Sequence, residues 1–143
     1  MRKLLFGLAF AISTFSCKED TPIFLGSFSI NGTTVKLIKV ATNKQKDGSI
    51  AFAAWGKNGD HDIEIICKFP MPSATTTVDA GDHIIDYLDL KESSRSKEFG
   101  MAGEKIDIIV KSGQYNVKFT GLTEYFYSTG PGTSKITGDL KTY

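Results

Sequence analysis

Beyond residue 20, apolar residues recur at every second position in several segments, and no stretch sustains a helical apolar period for three turns. Ile63, Ile65, Cys67 and Phe69 fall on one face of a strand. Ile106, Ile108 and Val110 do the same within Lys105–Lys111, and Tyr115, Val117 and Phe119 alternate with Asn116, Lys118 and Thr120. A period of two places alternate side chains on opposite faces of a sheet. The chain is therefore expected to be all-β, an antiparallel sandwich or flattened barrel of about eight to ten strands.

Turn residues divide the chain into those strands. Asn31-Gly32 lies between Phe24–Ile30 and Thr33–Val40, and both residues tolerate positive φ, so a type I′ hairpin is expected there. A polar loop over 42–48 precedes a strand over Ser49–Trp55. The turn cluster 56–60 leads to a strand over Asp62–Phe69, which Pro70-Met71-Pro72 ends, because proline donates no ladder hydrogen bond. Short strands follow near 75–78, 83–88 and 99–101, with a charged loop over 91–97. Two longer strands are expected over 105–111 and 115–127, and Gly121 marks a bulge in the second. Gly130-Pro131-Gly132 reads as a turn before a closing strand over 134–141.

The first twenty residues have a different character. Met1-Arg2-Lys3 is positive, and Leu4–Phe15 is a nearly uninterrupted apolar run of twelve residues. A permanent membrane span needs about 20 residues, so the run fits the apolar core of a secretory signal. Small Ser16 then precedes Cys17, the arrangement of a lipoprotein signal in which the cysteine is acylated and becomes the first residue. Lys18-Glu19-Asp20 follows as a candidate surface-export signal. The expected organisation is a signal over 1–16, a lipidated cysteine and acidic tether over 17–22, and one domain over 23–143. Cleavage removes two of the 17 basic residues and none of the 16 acidic ones, turning a net charge of +1 into −1. With Cys17 acylated, Cys67 has no intramolecular partner and reads as a small buried hydrophobe.

The segments Ser16-Cys17-Lys18-Glu19-Asp20, Phe28–Gly32, Lys105–Ile108 and Val117–Gly121 together resemble small surface lipoproteins of Bacteroidota that carry a β-rich domain. The resemblance implies a lipid-anchored outer-membrane protein facing the cell surface and implies no activity.

Composition and motifs narrow the function. A near-neutral charge with no long basic block argues against nucleic-acid binding. No nucleophile elbow, zinc-protease helix or phosphate-binding loop is present, so an enzyme is not expected. His61 and His83 both lie in Gly-Asp-His triplets, and Asn58, Asp60 and Asp62 form a weak oxygen-ligand pattern. Turn chemistry accounts for these residues better than a metal site, and no cofactor or metal is expected. The better lead is aromatic: Trp55, Tyr125 and Tyr127 are candidate binding residues, with a glycan, a peptide or a protein as ligand. The function expected is a non-enzymatic binding or accessory module on the envelope. The alternative is an immunity-like or inhibitor lipoprotein that blocks a toxin or enzyme by occlusion.

Overall fold

The computed structural model describes residues 25–83, 85–92, 96–126 and 128–142. Cys17, Lys18, Glu19, Asp20 and Tyr127 lie outside the described residues. The described residues form ten strands: β1 (Gly26–Ile30), β2 (Thr33–Lys44), β3 (Ser49–Asn58), β4 (His61–Pro70), β5 (Thr76–Asp79), β6 (Ile85–Asp89), β7 (Ser96–Phe99), β8 (Lys105–Lys111), β9 (Gln114–Phe126) and β10 (Gly130–Lys141). All pairings are antiparallel, and they run β1-β2-β3-β4-β6-β7-β9-β10, with β10 returning to β1. The chain is all-β, and its sheet closes into an eight-stranded up-and-down barrel.

The two extra strands are continuations. β5 pairs with β8 through Asp79↔Lys105, and β6 pairs with β7 through Ile85↔Phe99. β5 and β6 therefore act as one broken wall strand, and β7 and β8 as its broken neighbour. Two carboxylates stitch the breaks together. Asp79 accepts from the backbone N–H of Gly81 at 3.0 Å and of Gly103 at 2.9 Å, and from Lys105 Nζ at 3.0 Å. Glu104 accepts from Met101 N at 3.0 Å and from the Thr123 hydroxyl at 2.6 Å. Each supplies acceptors to backbone donors that the interrupted ladder leaves over.

Closure leaves an interior that side chains fill, as expected for eight strands. Phe28, Phe52, Phe69, Phe99 and Phe119 are all buried, with isoleucines between them. The Phe28 ring stacks on Tyr87 at 6.2 Å between centroids and meets Phe119 edge-on at 6.3 Å. Small residues make room for these rings. A Cβ at Gly138 would lie 2.4 Å from Cζ of Phe119, so the ring occupies the volume a side chain would need.

Asn31 and Gly32 have φ of 50° and 78°, both positive as the type I′ hairpin requires, and Ser112-Gly113 repeats the pattern at 51° and 75°. Ile63, Ile65, Cys67 and Phe69 share the buried face. Gly121 has φ of 62° and sits in a bulge, since Phe119 pairs with Gly138 but Leu122 with Ile136.

Strand ends differ from the sequence reading. β2 runs on to Lys44 because Asn43 and Lys44 find partners in Ala51 and Ile50, and cross-strand pairing outweighs weak strand propensity. Ile38 lies at a register shift in β2 and is 55% exposed, so it adds nothing to the core. β3 continues to Asn58, and only Gly59-Asp60 turns. Gly130-Pro131-Gly132 begins β10 instead of forming a turn; Pro131 pairs with Tyr125 beside a register irregularity, where a missing N–H is tolerated.

Gly138→Ala and Phe119→Leu test the packing. Each alone is expected to destabilise, Gly138→Ala by about 1–3 kcal/mol through overpacking. The double variant should lose at least ~1 kcal/mol less than the sum, because the new methyl enters space the ring vacates. Urea unfolding of the four proteins measures this; strict additivity would contradict the contact.

Candidate functional site

Strand alternation sorts the connections between two barrel ends. The β1–β2, β3–β4, β6–β7 and β9–β10 connections share one end, hereafter the mouth. Leu25, the β2–β3, β4–β5 and β8–β9 connections and Thr142 share the other. Both chain ends of the described residues meet there: Lys141 N donates to Leu25 O at 3.0 Å, and Thr142 N to Tyr115 O at 3.1 Å.

The bulge at Gly121 determines what faces into the mouth. Tyr115, Val117 and Phe119 point inward, and the extra residue then shifts the alternation so that Leu122 and Glu124 point inward next. A one-residue shift exchanges the faces of every later side chain. It carries a carboxylate into the barrel and leaves Tyr125 on the outer wall.

Glu124 is 3% exposed and Ser134 is 6% exposed. Lys97, two residues before inward-facing Phe99, reaches both: its Nζ lies 2.9 Å from Glu124 Oε1, 3.1 Å from Oε2 and 3.0 Å from Ser134 Oγ. Burial raises the Glu124 pKa, but the hydrogen bonds from Ser134 and Lys97 and the lysine charge outweigh it, and the net shift is downward. Asn31 extends the network. Its Nδ2 donates to Ser134 Oγ at 3.4 Å, and its Oδ1 accepts from Lys135 N at 2.8 Å. The same asparagine thus forms the hairpin and ties it to β10.

Lys97 and Asn31 also line a hollow of about 230 Å³, together with Ile30, Thr33, Asn58, Tyr87 and Asp89. Asp89 accepts from Lys91 N at 3.1 Å and meets His61 Nδ1 at 2.7 Å. Burial opposes its ionisation, yet the His61 contact and the backbone donors hold its pKa below the ordinary range. Burial pushes the Tyr87 phenol up, and a hydrogen bond with Asn58 partly offsets that. A second hollow of about 250 Å³ adjoins on the outer side, lined by Ser96, Lys97, Glu98, Tyr125, Phe126 and Ser128. Phe126 is 45% exposed at its rim.

The candidate aromatic residues separate. Tyr125 is half-buried in the second hollow, between Glu98 and Pro131 in the register. Trp55 lies on the outer wall, within β3. It pairs with Lys39 on β2 and Glu64 on β4; its Nε1 donates to Glu64 Oε1 at 2.9 Å, and Lys39 Nζ sits 5.2 Å from the ring centroid. A ring engaged in this way is part of a cross-strand triplet, and it does not join Tyr125.

The polar turn residues are neutralised locally. Asp60 pairs with Lys91, and Asp62 with Lys57 at 2.9 Å. His83 sits instead against Lys68 O at 3.4 Å, away from His61. Among the described residues, no group of three His, Cys, Asp or Glu side chains is arranged to hold a metal ion. Burial, with the Asp86 charge adding to it, pushes the Cys67 thiol up to about 12, so it stays protonated and inert. Lys97 and Glu124, the centre of the mouth, are the residues that sequence reasoning missed. The available signal was Gly121, had its bulge been carried through the alternation to Glu124.

No family model matches the chain, and neither a curated protein nor a solved structure does.

Glu124 gives the fold a predictable acid sensitivity. Its pKa in the folded state lies below the ordinary 4.5, so its contribution is fully present above that value. It is lost as pH falls through the folded-state pKa. Chemical unfolding at a series of pH values should show the wild type losing more stability on acidification than Glu124→Gln. Parallel curves would remove Glu124 from the acid response.

Proposed function

We propose that the protein is a non-enzymatic outer-membrane lipoprotein, anchored through Cys17 and facing the cell surface, that acts as a binding or accessory module through the barrel mouth. The observation that carries this reading is the placement of the polar hollow. It opens at the end opposite Leu25, the described residue nearest the tether, so an anchored barrel presents its mouth away from the bilayer.

Packing argues for the type of ligand. The interior is filled by Phe28, Phe52, Phe99 and Phe119, so a long apolar ligand has no room inside. A hollow of about 230 Å³ is smaller than the ~300–1,000 Å³ of sites for drug-sized molecules. It suits one small polar unit, such as a sugar ring or the end of a peptide. Asn31, Asn58, Thr33 and the Tyr87 phenol offer both donors and acceptors, and Tyr125 and Phe126 supply apolar faces beside them. Those faces suit the stacking that sugar rings and peptide side chains accept.

Two measurements test the two halves. Labelling with a fatty-acid analogue should mark the wild type and not Cys17→Ala, and replacing Lys18-Glu19-Asp20 by alanine should remove protease accessibility on whole cells. A soluble chain beginning at Lys18, screened on glycan and peptide arrays, should bind a limited set of ligands. Asn58→Ala should weaken that binding about ten-fold, the effect of losing one hydrogen bond, with the fold kept and only a modest fall in melting temperature from the lost contact with the buried Tyr87 phenol. Binding unaffected by Asn58→Ala would place the site elsewhere.

A further inference from the structure

The barrel end opposite the mouth has its own chemistry. β2 ends at Lys44, β8 at Lys111 and β10 at Lys141, and Lys46 stands in the β2–β3 connection. Lys44, Lys46 and Lys111 are exposed, and Lys141 is partly so. In the same connection Asp47 pairs with Lys68 at 2.7 Å, and Lys111 and Lys141 are engaged in contacts of their own, so the exposed charge of this end rests on Lys44 and Lys46. The mouth is different, since Asp60, Asp62, Asp89 and Glu92 accompany Lys57 and Lys91 there. A chain that carries a net −1 after cleavage therefore concentrates positive charge at one end. Met71 projects from the same end between Pro70 and Pro72 and is 45% exposed.

We infer that this basic end is a docking face for the anionic phosphate headgroups of the bilayer. The inference rests on the anchored reading above for its geometry. Cys17 and Leu25 are eight residues apart, a reach of at most about 30 Å, so the lysines stay close to the membrane on which the anchor holds them. Lysines near an anionic surface are attracted within a Debye length, and an apolar loop tip such as Met71 can enter the headgroup boundary. Tether and face together fix the barrel axis upright and keep the mouth pointing outward.

The test uses an unlipidated chain from Lys18, which retains all ten strands, so anchoring and face chemistry are read separately. Failure of Cys17 labelling would count against the anchor, whereas the vesicle result concerns the face. Co-sedimentation is measured with phosphatidylcholine vesicles and with vesicles containing about one third phosphatidylglycerol. Binding to the anionic vesicles should be at least ten-fold stronger and should disappear in high salt. Lys44→Gln/Lys46→Gln should lower it by about five-fold per lysine, Met71→Ser should lower it further, and mouth binding should be unchanged. Lys36→Gln/Lys118→Gln, elsewhere on the wall, should have little effect. Equal binding to both vesicle types, or equal losses from the two lysine pairs, would overturn the inference. So would tighter binding of the same face to duplex DNA or to an acidic peptide than to the anionic vesicles.

Discussion

Closure of the sheet by β10 is the constraint on which the rest depends. This strand is hydrogen-bonded on both sides, to β1 through Ile30↔Ile136 and to β9 through Leu122↔Ile136. It joins β1 to the β9–β10 hairpin. Without it the sheet would have two long edges and an exposed apolar face. With it, Phe28 on β1 meets Phe119 on β9 inside, and Gly138 on β10 lies beneath that ring. The cost is topological, because a contact between the two ends of the domain is formed only after a long loop is ordered.

The bulge at Gly121 is the second constraint, and it connects fold to site. A strand of uniform alternation would turn Tyr125 inward and Glu124 outward. The extra residue reverses them and buries a carboxylate, which is tolerable only with a nearby cation and hydrogen-bond donors. Lys97 and Ser134 supply both. Lys97 also lines the hollow at the mouth, so the ion pair and the hollow adjoin. The same shift keeps Tyr125 on the wall, beside Phe126, as an apolar flank.

The two barrel ends differ in chemistry because an up-and-down barrel sorts its connections by strand direction. Odd and even connections alternate between ends, so turns far apart in the chain become neighbours. Asn31, Asn58 and Asp89 meet at the mouth in this way, and Lys44, Lys46, Lys111 and Lys141 at the opposite end. The two ends of the same small barrel thus differ in chemistry without a hinge or a second domain.

Local chemistry settled much of this protein in advance. Alternation in Ile63–Phe69, Lys105–Lys111 and Tyr115–Phe119 is a property of adjacent residues, and so is the positive φ that Asn31-Gly32 accepts. The all-β class, a strand number in the range of eight to ten, the main hairpin and the buried Cys67 face could all be read from it. Barrel closure could not, because the pairing of β1 with β10 depends on residues more than a hundred positions apart. Strand lengths could not either, since Lys44 and Pro131 are poor strand residues kept in the ladder by their partners. The Lys97–Glu124 pair was legible only in part: the bulge at Gly121 pointed to Glu124, but nothing local pointed to Lys97 as its partner. Which face a side chain takes after a bulge depends on the register of the neighbouring strand, and only the folded sheet decides that register.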